Sequence, residues 1–230
     1  MSVLDIIKKR RSIRRYLDVP VEWDKIVQLL EAGRYAPSSG NIQEWKFVVV
    51  SDKTIKRKVA EACLKQYWVE AAPAIIVICS MVEKQEQFYG ERGRNVYTYI
   101  NCAAAAENML ITATELGLGS CLVGAFDESM MCEALNIPTR ARPILVLTFG
   151  YPGEKVPVPP KMVLEGLVFL QTYACRIRNV NMVLWDVSLE IEKKAREGKE
   201  IVERGASKLH ERIKHHVKKI KDRFKEDMDE

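Results

Sequence analysis

The 230-residue chain, 47% hydrophobic and 29% charged, has the balance of a globular protein in water and is long enough to bury a core. Its net charge of +5 is modest and interleaved with acids, so charge alone does not argue for a nucleic-acid partner. No apolar run approaches the roughly 18 residues of a membrane span, and Asp5 to Arg15 is charged where a secretory leader would be apolar, so a cytoplasmic location is expected.

Six cysteines, Cys63, Cys79, Cys102, Cys121, Cys132 and Cys175, form no C-x-x-C pair and have no histidine at ligand spacing. That pattern argues against zinc and against a disulfide framework, and most of these thiols sit among apolar neighbours where a buried free cysteine is expected. The three histidines, His210, His215 and His216, all fall near the end of the chain. The first 200 residues therefore lack the usual acid–base side chain, and any chemistry there is expected to reside in a bound group.

In chain order, Val3, Leu4, Ile6 and Ile7 make one apolar helical stripe running into Arg10-Arg11-Ser12-Ile13-Arg14-Arg15-Tyr16. Such a cluster is either a solvated patch of charge or an anion clamp, because guanidinium forks and a hydroxyl match phosphate oxygens. A second helix is expected over 22–34, closed by Gly33. The loop Tyr35 to Trp45 follows, dense in small and polar residues, and reads either as an ordinary turn or as a site for a planar polar ligand.

Phe47-Val48-Val49-Val50 reads as a strand buried on both faces, and Pro73 to Cys79 as another. Between them 54–68 is helical by pattern, and 83–97 reads as a polar, glycine-containing excursion near a ligand mouth. Residues 99–116 predict a central helix that is apolar nearly all round, of the kind found at subunit interfaces. Gly117 to Phe126 then reads as a helix stop, a short strand and a turn where backbone comes close to a ligand. A short helix over 128–135, a core strand over 143–150 and an extended stretch through Pro157, Pro159 and Pro160 complete this part.

Beyond Arg176 the composition changes to mixed charge, and Val202, Ala206, Leu209, Ile213, Val217, Ile220 and Phe224 recur at three- and four-residue spacing. This predicts one amphipathic helix, which would pack on the body or a second copy, contact another protein, or lie on a membrane surface. We therefore divide the chain into 1–175 and a charged helical extension, 176–230.

Three separated segments, Arg10 to Arg14, Ala36 to Trp45 and Gly117 to Phe126, stand in an order and spacing that resembles the nitroreductase family over roughly residues 3–170. The resemblance implies an α+β fold with a mixed, mainly antiparallel central sheet flanked by helices, and an intertwined homodimer with FMN at the subunit interface. It assigns Arg10, Arg11, Ser12 and Arg14 to the FMN phosphate and ribityl chain, leaving Arg15 at the surface. Pro37, Ser38, Ser39 and Asn41 would reach the isoalloxazine ring from the partner subunit. Leu122, Val123 and Gly124 would line its other side, with the Gly124 backbone N–H at flavin N5, and Gln66 is a looser match to a ring-contacting amide.

The implied activity is hydride transfer from NAD(P)H through FMN to a nitro-aromatic, quinone or related acceptor by a ping-pong mechanism. Related branches carry out reductive dehalogenation or oxygen-dependent flavin breakdown. A non-catalytic flavin-binding scaffold, whose terminal helix recruits a protein or membrane surface, is the alternative. Family members often carry a late pair of basic residues at the phosphate, whereas here only Lys161 stands near that position. The extension beyond Arg176 has no counterpart in the family pattern.

Overall fold

The computed structural model describes residues 2–177, 179–180 and 196–199. The predicted amphipathic helix and the three histidines lie outside the described residues. The chain forms two compact units, 1–158 and 159–230.

The first unit opens with helix α1 (Val3–Lys9), whose start is fixed by a capping box: Ser2 Oγ accepts the Asp5 N–H while the Asp5 carboxylate accepts the Ser2 N–H. After α2 (Trp23–Arg34) come β1 (Trp45–Val50), α3 (Lys53–Ala62), β2 (Ala74–Ser80), α4 (Val82–Arg92), α5 (Thr98–Glu115), β3 (Gly119–Val123), α6 (Glu128–Leu135) and β4 (Arg142–Gly150). Asp52 and Asp127 cap α3 and α6 by accepting the N–H groups of Ile55 and Met130. Asn136, in the left-handed region at φ 51°, closes α6.

The sheet has the order β1-β2-β4-β3 with every neighbouring pair antiparallel. Among the described residues, the parallel component of the expected mixed sheet is a single bridge between Ser12 and Ser120. β2 is buried along its whole length and alternates its residues between two cores. Ile76 and Ile78 pack with Leu29 of α2, Met109 and Leu110 of α5, and Leu147 and Phe149 of β4. Ile75, Val77 and Cys79 pack with Val59 of α3, Met131 of α6 and Val146 of β4. Each such aliphatic side chain contributes roughly 1.5–3 kcal/mol of burial, which makes this sandwich the rigid frame of the unit.

Three local expectations need correction. β1 is an edge strand rather than one buried on both faces: Lys46 is exposed and Phe47 to Val49 are half-buried. The helix expected over 54–68 ends at Ala62, because Leu64 and Lys65 take left-handed conformations and local turns carry the chain to buried Val69. The excursion over 83–97 is folded, not irregular. Val82 and Gln85 turn inward from α4, the helix kinks at Gly90, and a π-helical turn over Gly93–Tyr97 leads into α5.

Gly33, expected as a helix stop, instead lies inside α2 where a β-carbon would meet the Met109 side chain at 2.2 Å, so its role is close packing against α5. In the second unit a 3₁₀ turn over Leu164–Gly166 precedes a bridge between Phe169 and Arg176, and the Phe169 and Tyr173 rings stack at 4.5 Å.

Candidate functional site

The arginine cluster begins where α1 ends. Arg10 is the C-cap residue of that helix, and from Arg10 onward the backbone is extended rather than helical. This extended segment runs beside β3: the Ile13 N–H donates to Ser120 O at 2.9 Å, and Gly119 lets the Ile13 side chain approach to where a β-carbon would sit at 2.9 Å. Further along, Tyr16 donates its hydroxyl to Ile13 O at 2.6 Å and lies 2.7 Å from Thr148 Oγ1 on β4. Burial pushes the Tyr16 hydroxyl well above its ordinary pKa, so it stays a neutral strut.

The side chains around this junction are cationic and accessible. Arg10 lies 3.9 Å from Glu107 of α5, a loose surface pair. Arg11 turns back and donates through Nη1 to the Lys8 and Arg10 carbonyls at 2.7 and 2.6 Å, capping its own helix. Arg14 lies over the Trp68 ring at 5.5 Å, which brings the Gln66 turn beside the arginines; Gln66 itself donates its amide to Cys63 O. Burial raises the Cys121 thiol, while Arg14, Ser12 and Arg10 act in the opposite direction, and the Ser12–Ser120 bridge sets this segment beside β3. Next to it the Ser120 hydroxyl is buried without a hydrogen-bond partner.

Along β3 the pleat turns Leu122 outward and Val123 into the second core, so Val123 can offer a ligand only its backbone. Gly124 is exposed, with open space where a β-carbon would be. Arg15 is exposed, in keeping with its expected surface position. Its backbone N–H and that of Arg14 both donate to Glu154, at 3.0 and 2.7 Å. Those two bonds, Arg14 first, hold the Glu154 carboxyl below the usual carboxylate range. Lys161 is exposed and belongs to the second unit.

The structure thus joins the first and third sequence segments and places Gln66 beside them, but anchors the Pro37–Asn41 loop elsewhere. The Ser39 N–H and hydroxyl both donate to Asn101 Oδ1 at the start of α5, at 3.1 and 3.2 Å. Pro37 and Asn41 are exposed, and Ser38 accepts the Gln43 N–H. Gly40, at φ 60°, faces Tyr89 of α4 so closely that a β-carbon would meet the tyrosine hydroxyl at 2.5 Å.

Sequence reasoning assigned no role to Glu44, Gln85, Asn101 or Tyr89, which hold this second region together. A carboxylate between a loop and a strand carries no sequence signal of burial, and Gln85 lies in a stretch that reads as polar surface.

The donor set at the junction fits an anionic group. Arg10, Ser12 and Arg14 lie on the segment that bridges to β3, Arg11 is turned back onto its own helix, and Gly124 at the end of that strand leaves open space where backbone can approach a phosphate-bearing ligand. A hollow of about 450 Å³ lined by Asp5, Lys8, Lys9, Arg11, Val156 and Val158 adjoins it. A cleft of about 520 Å³ lies instead between α4, α6 and the start of β4, and none of the residues assigned from the resemblance lines it.

Comparison with known proteins gives the same family. The nitroreductase family model matches residues 7–74 and 63–151. The NADH dehydrogenase of Thermus thermophilus is 31% identical over 70% of this chain and 91% of its own length. The FMN reductase [NAD(P)H] of Bacillus subtilis is 30% identical over 75% of this chain and 74% of its own. The solved structure of an FMN-dependent nitroreductase from Clostridium difficile superposes with a TM-score of 0.65 at 27% identity, over 74% of this chain and 99% of that one. With half the chain matched by the model and these relatives spanned over most of their length, the protein belongs to the nitroreductase family.

Proposed function

We propose that the chain is an NAD(P)H-dependent flavin oxidoreductase that binds FMN at the Arg10–Arg14 and Gly119–Gly124 junction. The observation that carries this reading is the Ser12–Ser120 bridge, which sets the Arg10–Arg14 segment beside the glycine-flanked strand β3. The names of the relatives, FMN reductase and NADH dehydrogenase among them, support the cofactor and the donor.

When bound, FMN would supply the redox chemistry, carrying two electrons from NAD(P)H to a nitro-aromatic, quinone or related acceptor in ping-pong alternation. The protein's part is to bind and orient. Arg10, Arg11 and Arg14 neutralise the phosphate, each charge-assisted bond contributing about 1.5–3 kcal/mol, and the Ser12 hydroxyl adds a neutral bond. Arg11 can serve only by releasing the helix carbonyls it now caps. Leu122 offers an exposed apolar side chain to a ring, and Gly124 an accessible backbone N–H.

We further propose that a second copy completes the site, supplying Pro37, Ser38, Ser39 and Asn41 from its own loop. The exposed apolar surface of Val3 and Leu4 on α1, Trp23 on α2 and Ile100 on α5 supports this. Lys161 is proposed as a further phosphate ligand.

The test is the absorbance spectrum of the purified full chain after loading with FMN. Bound flavin that bleaches under nitrogen on addition of NADH or NADPH, and recovers with a quinone or nitro-aromatic, is the expected result. Bound flavin that neither nucleotide reduces would overturn the enzyme reading and leave a flavin-binding protein.

A further inference from the structure

One charged group in the first unit has no part in the proposed chemistry and yet is completely enclosed. Glu44 precedes β1 and is 0% exposed. Its Oε1 accepts from Asn101 Nδ2 at 2.8 Å and its Oε2 from Gln85 Nε2 at 2.9 Å, while its backbone carbonyl accepts the Met81 N–H. Asn101 and Gln85 are themselves buried, on α5 and α4. A carboxylate taken out of water is costly unless it is fully bonded, so a group in this position must be fixing its donors in place.

What it fixes follows from the direction of each bond. Asn101 presents its Oδ1 to Ser39 only while its Nδ2 points at Glu44, and that oxygen holds both the backbone N–H and the hydroxyl of Ser39. On the other side Gln85 ties the same carboxylate to α4, whose chain doubles back so tightly that a β-carbon at Gly93 would meet the Gln85 carbonyl oxygen at 2.2 Å. The two arms meet again at the surface, where Gly40 adjoins the Tyr89 hydroxyl.

We propose that Glu44 is a positioning residue that locks the Ser38–Asn41 loop and the α4–π excursion into one rigid unit, so that the loop meeting the flavin ring and the excursion beside it keep a fixed spacing. The proposal rests on the flavin reading for its functional consequence, but the mechanical coupling stands on the hydrogen bonds alone. The unpartnered Gln85 Oε1 adds a specific expectation. In Glu44→Gln the new amide can still accept from Asn101 and can donate to Gln85 once that amide rotates, so the conservative variant keeps both arms.

Amide hydrogen exchange on the FMN-free full-length protein separates the arms. Glu44→Leu is expected to speed exchange about tenfold or more in both 37–43 and 82–97, relative to β2 and β4. Asn101→Leu does so chiefly in 37–43, Gln85→Leu chiefly in 82–97, and Glu44→Gln stays within about twofold of the parent in both. In the FMN-loaded protein Asn101→Leu weakens flavin binding about tenfold, whereas Gln85→Leu raises KM for the acceptor with kcat nearly unchanged.

Loss of protection in only one segment of Glu44→Leu, or Glu44→Gln loosening both segments as much as Glu44→Leu, would overturn the coupling. If Glu44→Leu does not fold, the single-arm variants decide: each loosening both segments equally would count against it. Failure of the parent to bind FMN would sink the flavin reading and leave the exchange pattern to judge the lock.

Discussion

At the Arg10–Arg14 junction charged side chains stand at the surface with loose or backbone partners, whereas at Glu44 a single charge is enclosed and held by two amides. The first arrangement leaves cations able to exchange a weak partner for a stronger anion arriving from solution. The second cannot meet a ligand at all, so its energy goes into geometry. One protein thus separates attraction from alignment. On the proposed reading, affinity for an anion would reside where water reaches, and the spacing of the loop proposed to meet the ring would be set where it does not.

The most severe break in that comparison is on the buried side. Asn101→Leu leaves the Glu44 carboxylate short of a donor and frees both bonds of Ser39, and should cost about 3 kcal/mol of stability by urea unfolding. A loss below about 1 kcal/mol would mean the network is not enclosed as described. On the open side, Arg10→Ala and Arg14→Ala should leave unfolding unchanged within about 0.5 kcal/mol. Each should nonetheless weaken FMN by about 2 kcal/mol, or roughly thirtyfold, in a fluorescence titration that also weakens with added salt. Arg15→Ala should barely matter, and equal losses from all three would show that the cluster is not divided as proposed.

Gly40→Ala tests the surface contact between loop and excursion. A side chain there meets both the left-handed backbone and the Tyr89 hydroxyl, so about 1 kcal/mol of stability should be lost. Tyr89→Phe in the same background removes the colliding oxygen and should recover part of it.

How much of this was readable in advance depended on whether the signal was local. Ile75 to Cys79 makes an uninterrupted apolar run, and such a run can only be a core element, so β2 and its neighbours were legible. Arg10, Ser12 and Gly124 were assigned to the site because their types and spacing match a known pattern. The helical excursion was missed because its inward face is only Val82 and Gln85, and an amide buried against a carboxylate looks like surface in a sequence. Leu122, Val123 and Gly124 were assigned together to one side of the ring, and what the sequence did not show is which side chain the pleat turns outward: Leu122 is exposed and Val123 buried. Glu44 was invisible for the same reason that makes it interesting: its burial is imposed by partners 41 and 57 residues away.

The smallest effect belongs to Glu154, which tethers the arginine segment through the backbone rather than through charge pairing. Its carboxylate accepts the Arg14 and Arg15 N–H groups, and those bonds depress its pKa below the ordinary 4.5. A group depressed in the folded state contributes its full stabilisation above the unfolded value and loses it as pH falls through the folded one. The thermal midpoint of the parent should therefore decline as pH drops below about 4.5. Asp5 and Glu22 are depressed as well and titrate in the same window, so the informative quantity is the difference between parent and Glu154→Gln. That difference should be largest near neutral pH and shrink toward zero in acid. A difference that stays constant across the range would mean that the Glu154 side chain matters by its shape and not by its ionisation.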